Sequence, residues 1–233
     1  MPEQPPYFTR LAAAYVRGAL ADAPARQAHA ALFATPLAAL PEAALTELVA
    51  LGTAQGLRLH RFKRTMGLAR VQKVLGMLRG IQPTTLLDIG SGRGAFLWPL
   101  ADAFPALPIT CVDTLAHRVA DIEAVRAGGV AMLSAIHADA TALPFDAAAF
   151  DVVTMLEVLE HISDTQRALA EACRVAGRFV LLSVPSKPDN NPEHLHLFDQ
   201  PALTALLRAR GMASVRAEYV LNHLLLVAGS PRP

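Results

Sequence analysis

A chain of 233 residues, 53% of them hydrophobic, is long enough to bury a sizeable core, and a formal net charge of +1 gives no overall pull toward nucleic acid or anionic lipid. Two cysteines, Cys111 and Cys173, are too few for a disulfide framework, and both fall in stretches that read as regular structure, so buried reduced thiols are expected. The opening Met1-Pro2-Glu3-Gln4-Pro5-Pro6 has no basic stretch followed by an apolar one, and no apolar run reaches membrane-spanning length, which implies a cytoplasmic protein without a membrane partner.

From Thr9 to Leu51 the pattern is alanine-rich and helical, interrupted at Pro24, Pro36 and Pro41, and it predicts short helices forming a cap over residues 1–56. A second helical stretch is read from Leu57 to Leu78, with Leu59, Phe62, Met66, Ala69, Val74 and Leu78 on its apolar side. Arg58, Arg61, Lys63, Arg64, Arg70 and Lys73 give the same stretch a basic side, which reads more readily as a solvated face than as an RNA-binding surface because exposed aromatics for base stacking are missing. After Pro83 strands and helices alternate. The strands are read at Thr85–Ile89, Ile109–Asp113, Met132–Ala138, Phe150–Leu156 and Arg178–Val184, with helices at Ala95–Phe104, His117–Ala127, Ser163–Val175 and Pro201–Arg210. Such alternation argues an α/β, Rossmann-like, doubly wound sheet over 57–233. Two final strands, Ser214–Val220 and Leu224–Ala228, have no helix between them, so at least one runs antiparallel and the sheet has seven strands.

The run Leu86-Leu87-Asp88-Ile89-Gly90-Ser91-Gly92-Arg93-Gly94 is an apolar strand closed by an acid and followed by alternating glycines that open a helix. Glycines let the backbone turn sharply and approach a ligand without a Cβ in the way, which describes a seat for a nucleotide-shaped cofactor. In an open parallel sheet the ligand crosses the carboxyl ends of the strands, and here those ends carry acids repeatedly: Asp88, Asp113 and Asp139. Asp113, 25 residues after Asp88, is spaced to accept hydrogen bonds from ribose hydroxyls. An acid beside the glycine turn repels a pyrophosphate and attracts a cation, which favours S-adenosylmethionine, with its sulfonium and ammonium, over a nicotinamide dinucleotide. Asp151, which opens a buried strand, reads as structural.

From about Thr84 to Gly229 the chain resembles the class I S-adenosylmethionine-dependent methyltransferases of the type 11-like group. The matching segments are Asp88-Ile-Gly-Ser-Gly-Arg-Gly94, Val112-Asp113, Ala138-Asp139-Ala140 ahead of Leu143-Pro144-Phe145, and Phe150-Asp151-Val152-Val153 leading into Leu156-Glu157-Val158-Leu159-Glu160-His161-Ile162. The resemblance implies Asp88, Gly90, Ser91, Gly92 and Gly94 around the methionine moiety, Asp113 on the ribose, Asp139 and Ala140 at the adenine, and Met155 to Glu157 on the donor side. It also implies the antiparallel terminal hairpin.

Methyl transfer from a sulfonium is an in-line displacement of an already activated group, so the protein supplies alignment, a dry cavity and, for a hydroxyl or thiol acceptor, removal of a proton. Glu157 and His161, four apart and on one face if helical, are the expected catalytic groups. His196 joins them from the irregular segment Pro185–Phe198, where substrate selection is expected. The favoured reading is a methyltransferase acting on a small-molecule acceptor, with no metal assigned. One alternative is a metal-assisted RNA ribose 2′-O-methyltransferase built on Glu157, Glu160, His161 and His196, since Glu157-x-x-Glu160-His161 with a later histidine resembles that enzyme class. Another is an S-adenosylmethionine-binding module without turnover.

Overall fold

A computed structural model describes residues 7–64, 67–188 and 190–231. The opening hexapeptide and Met66 lie outside the described residues. Seven strands form one sheet: β1 (Leu86–Ile89), β2 (Ile109–Asp113), β3 (Leu133–His137), β4 (Phe150–Leu156), β5 (Ala176–Pro185), β6 (Ser214–Val220) and β7 (His223–Gly229), in the spatial order β3-β2-β1-β4-β5-β7-β6. The first five pair in parallel, and β7 runs antiparallel to both β5 and β6. β1 pairs with β2 on one side and β4 on the other, so the strand order reverses there and a crevice opens above the carboxyl ends.

Strand alternation sorts the side chains into two cores. Leu86, Val152 and Leu181 face one layer of helices, whereas their neighbours Leu87, Val153 and Leu182 face the other. On the second face lie α8 (Thr165–Val175) and α9 (Gln200–Ala209), each started by an aspartate, Asp164 and Asp199, whose side chain accepts a hydrogen bond from the first helical turn. On the first face lie α5 (Ala69–Ile81), α6 (Leu97–Ala103) and α7 (Ala116–Ala127), joined by the N-terminal helices. These are α1 (Thr9–Ala19), two short turns of helix, α2 (Ala25–Ala28) and α3 (Ala30–Ala34), and α4 (Glu42–Ala54). Helix α1 packs against α7 and α4, and the fully buried Ala12, Ala13 and Ala14 let the helix axes approach closely. The N-terminal helices thus lie against the helical layer beside the sheet. Cys111 is buried and Cys173 half-buried, both as free thiols, and among the described residues no helix is long and apolar enough to cross a membrane.

The single helix read over Leu57–Leu78 is instead two elements. A 3₁₀ turn at Leu59–Phe62 drives Phe62 fully into the core between the rings of Tyr15 and Trp98, at 5.3 and 4.8 Å between centroids. Lys63 then bridges to Tyr7 in extended form, and α5 starts only at Ala69. Ring burial and backbone pairing here outweigh the local helical pattern. The basic residues of this stretch are largely neutralised: Arg61 pairs with Asp121, Arg64 with Asp102, Arg70 with Glu157 and Lys73 with Glu218. Gly76, exposed in the interior of α5 with nothing near the position of an added Cβ, is a site where Gly76→Ala is expected to raise stability by about 0.8 kcal/mol in urea denaturation. No gain would mean that α5 frays independently of the domain.

Candidate active site

The carboxyl ends of β1, β2, β3 and β4 enclose a cleft of about 810 Å³, large enough for a nucleoside with an attached amino acid. Its walls include Gly90 and Gly92 from the glycine loop, Asp113 from β2, Asp139 and Ala140 after β3, and Glu157 and His161 after β4. A smaller adjoining cavity of about 160 Å³ is lined by Arg70, Asp88, Ser91 and Arg93, and it shares Gly90, Gly92 and Glu157 with the cleft.

The loop needs its glycines at two points. Gly90 adopts φ +71°, and a Cβ there would sit 2.5 Å from a methyl of Val158, which walls the cleft opposite. Gly94 adopts φ +83° and turns toward the indole of Trp98, which a Cβ would overlap. Gly94 therefore shapes the loop from behind and lines neither the cleft nor the smaller cavity, contrary to the expectation that it borders the methionine moiety.

Asp113 ends β2 almost wholly buried. One carboxylate oxygen accepts from the Gly92 amide at 2.9 Å and the other from the Leu115 amide at 2.9 Å, with Arg118 Nη1 at 3.5 Å. The carboxylate thus ties the glycine loop to the tip of β2 while keeping lone pairs for further donors. Asp139 is exposed and accepts from both the amide and the hydroxyl of Thr141 at 2.7 Å, bonds that hold its carboxyl below the usual range. Asp151 lies at the amino end of β4, away from the cleft, where it accepts from Thr84 and Arg178.

Asp88 is 3% exposed; one oxygen accepts from the Thr154 hydroxyl at 2.8 Å and the other, Oδ2, is buried without a partner. Burial pushes its carboxyl up to about 6, opposed by the Ser91 and Thr154 hydrogen bonds. Because the folded value stands above the unfolded one, the native state holds the extra proton, and stability falls as pH rises from about 4 to about 6. Asp88→Asn is expected to flatten that part of the stability–pH curve and to stabilise the cofactor-free protein by about 2 kcal/mol at pH 7, read by urea denaturation across that range. A curve with unchanged slope would contradict the assignment to Asp88.

Three expected placements differ. Met155 is fully buried among the side chains of the second core and lines no part of the cleft. His196 hands its Nε2 to the Ile162 carbonyl at 3.1 Å and packs against Phe198, and it lines no part of the cleft. Glu157 and His161 do not share a helix face: Glu157 takes φ +56° as β4 ends, and a 3₁₀ turn, Leu159–His161, follows. The Glu157, Glu160, His161 and His196 set is accordingly not assembled. The donor atoms that do converge, within 4.8 Å of one another, belong to Glu160, His161 and His194. His161 Nδ1 donates to the Glu193 carbonyl at 2.9 Å, which leaves Nε2 of the neutral ring with its lone pair.

Further side chains, which no motif marks as site residues, gather around these cavities. Leu115, 42% exposed two positions after Asp113, offers the cleft an apolar surface, and Arg118 sits a turn further on. Arg70, from the first turn of α5, reaches the smaller cavity, and behind it His223, the first residue of β7, contacts Arg70 without lining either cavity.

Residues 87–180 match the family model described as a methyltransferase domain. A malonyl-[acyl-carrier protein] O-methyltransferase of Geobacter sulfurreducens is 36% identical over 107 residues, covering 45% of this chain and 40% of that protein. A ubiquinone biosynthesis O-methyltransferase of Paramagnetospirillum magneticum is 29% identical over 159 residues, 64% of this chain and 52% of that protein. The chain thus spans about half or less of the length of these curated relatives. Among solved structures, the magnesium protoporphyrin IX methyltransferase of Synechocystis with bound S-adenosylhomocysteine superposes with a TM-score of 0.57 at 18% identity, covering 70% of this chain and 82% of that one.

Proposed function

For a chain whose residues 87–180 form a methyltransferase domain of the class I S-adenosylmethionine-dependent kind, we propose that the cleft binds S-adenosylmethionine and that the protein passes its methyl group to a small-molecule acceptor. The observation that carries this reading is the buried Asp88 carboxylate, with one oxygen unpartnered, in a cavity that also holds Arg70 and Arg93. An acid in a cavity bordered by two arginines complements the ammonium and carboxylate of an amino acid, and the adjoining cleft is sized for the nucleoside.

On this reading Asp88 takes the ammonium, Arg70 and Arg93 face the carboxylate, Asp113 accepts from the ribose hydroxyls, and Leu115 and Ala140 flank the adenine. When bound, the cofactor supplies an activated methyl group. The residues of the chain have to align it, exclude water and, for a hydroxyl acceptor, take up a proton. Ribosomal RNA small subunit methyltransferases are among the relatives, one of Limosilactobacillus reuteri being 33% identical over 110 residues, while the names of the two described above, a malonyl-carrier enzyme and a ubiquinone biosynthesis enzyme, support a small acceptor group. Paired cations along Arg61–Lys73 favour the same choice.

Isothermal titration with S-adenosylhomocysteine, alongside NAD, tests the reading. Binding of the first in the micromolar range and not the second is expected, together with release of S-adenosylhomocysteine when S-adenosylmethionine is incubated with phenolic or carboxylic acceptors. Tight retention without turnover across such acceptors would point instead to a binding module.

A further inference from the structure

Four polar side chains meet where β4, β5, β7 and the start of α5 converge. Glu157, held at φ +56° as β4 ends, donates its own amide to the Ser183 carbonyl at 2.9 Å, and its Oε1 accepts from the Ser183 hydroxyl at 2.6 Å. A non-glycine residue in the left-handed region costs about 1–2 kcal/mol and persists only where its surroundings enforce it. Here the enforced turn aims the carboxylate at two further groups. His223 Nδ1 lies 2.9 Å from Oε2, close enough for an ion pair but outside hydrogen-bonding geometry, and Arg70 Nε lies 3.8 Å from Oε1. Arg70 Nη1 in turn stands 3.3 Å from His223 Nε2.

The chemistry of these contacts fixes the proton. A guanidinium only donates, so Nε2 is the accepting nitrogen and in the neutral ring Nδ1 carries the hydrogen, beside the carboxylate. A carboxylate close to one nitrogen of an imidazole, with the other nitrogen left to take a proton, brings together the groups from which a general base is made. His223 also sits on the correct edge: it pairs with Pro185, the last residue of β5, so it lies at the carboxyl end of the parallel strands although β7 runs the opposite way. Glu157, its partner, borders both the cleft and the smaller cavity.

Arg70 belongs to both systems. It covers the basic nitrogen of His223, and it lines the cavity of Asp88, in which the cofactor's carboxylate would lie. We propose that His223 is the base for methyl transfer to a hydroxyl acceptor, that Glu157 positions it, and that Arg70 caps its Nε2 until a carboxylate beside Asp88 draws the guanidinium away. The inference rests on the cofactor assignment made above. In the step itself the acceptor oxygen bonds to the methyl carbon as the carbon–sulfur bond breaks. That electron pair stays on sulfur, and the hydroxyl proton moves to Nε2, leaving an imidazolium opposite the Glu157 carboxylate.

Ethoxycarbonylation by diethyl pyrocarbonate reports a free imidazole nitrogen directly and needs no acceptor. Full-chain protein is labelled with and without S-adenosylhomocysteine, whose binding is verified first by calorimetry, and the rate at His223 is read by peptide mass mapping against the exposed His60. Saturation with S-adenosylhomocysteine is expected to raise the His223 rate about tenfold, the weight of one released hydrogen bond, and Arg70→Ala to raise it similarly without ligand. Glu157→Gln is expected to leave the ring labelled at the fast rate in both conditions. If calorimetry detects no binding, the cofactor assignment fails; if the ligand binds and the His223 rate stays level or drops, the gating proposal fails by itself. His223→Gln is expected to keep S-adenosylhomocysteine affinity within about threefold while losing about 100-fold or more in kcat on any hydroxyl acceptor the wild-type protein methylates. A tenfold loss of affinity, or full kcat, overturns the assignment of the base.

Discussion

Asp113→Ala is expected to lower the affinity for S-adenosylhomocysteine by at least about 100-fold, because two charge-assisted hydrogen bonds to ribose hydroxyls, about 1.5–3 kcal/mol each, vanish together. The carboxylate has a second task that amplifies the loss. It accepts from the amides of Gly92 and Leu115, so the substitution also strands two backbone donors and loosens the glycine loop from the tip of β2. Calorimetry with Asp139→Ala in parallel separates specific contact from general charge. Asp139 is exposed and already occupied by Thr141, and its loss is expected to cost about tenfold or less. If the two variants bind equally well, the ribose assignment to Asp113 is wrong.

The largest effect on stability is expected where α1 crosses α7. Gly18 lies against the Ala124 carbonyl and Gly128 against the Ala14 carbonyl, and a Cβ at either position would overlap the facing backbone oxygen. Gly128 has φ −77°, which alanine adopts freely, so only the contact opposes Gly128→Ala. Backbone atoms cannot swing aside as a side chain can, and relief requires the helices to part and the fully buried Ala12 to Ala14 layer to open. A loss of about 3 kcal/mol is expected, with a fall of about 10 °C in melting temperature for a domain of this size. A change below about 1 kcal/mol would show that α1 docks loosely enough to shift without penalty.

Much of the sheet was legible in the residues because each strand is bounded by a change of period. Leu86 to Ile89, Ile109 to Asp113 and Phe150 to Leu156 are apolar runs closed by polar residues, and the two terminal strands without a helix between them dictate one reversal of direction. The acids at the strand tips were legible for the same reason. What stayed hidden depends on contacts distant in sequence. Arg70 and His223 join Glu157 only because α5 starts beside β4 and because β7 inserts between β5 and β6, and no local pattern marks either event. Met155 was placed on the donor side by resemblance alone, and its side chain packs instead in the second core, which no local pattern marks. His196 misled because a histidine in a loop can serve a neighbouring carbonyl as well as a substrate. The helix expected across Leu57–Leu78 failed on the ring of Phe62, whose burial between two aromatics is worth more than an unbroken turn.

The docking of α1 on α7 also bears on how the chain is made. Thr9 and Ala116, which begin the two helices, are separated by more than a hundred residues of sequence. At ribosomal speeds of about 5–20 residues per second, the alanine stripe of α1 emerges several seconds before the surface it will cover. Throughout that interval the part of its surface that meets α7 rather than α4 faces solvent or a chaperone, and full closure of the N-terminal helices waits for the first half of the sheet to be synthesised. Nascent chains stalled before Ala116 are therefore the ones expected to aggregate.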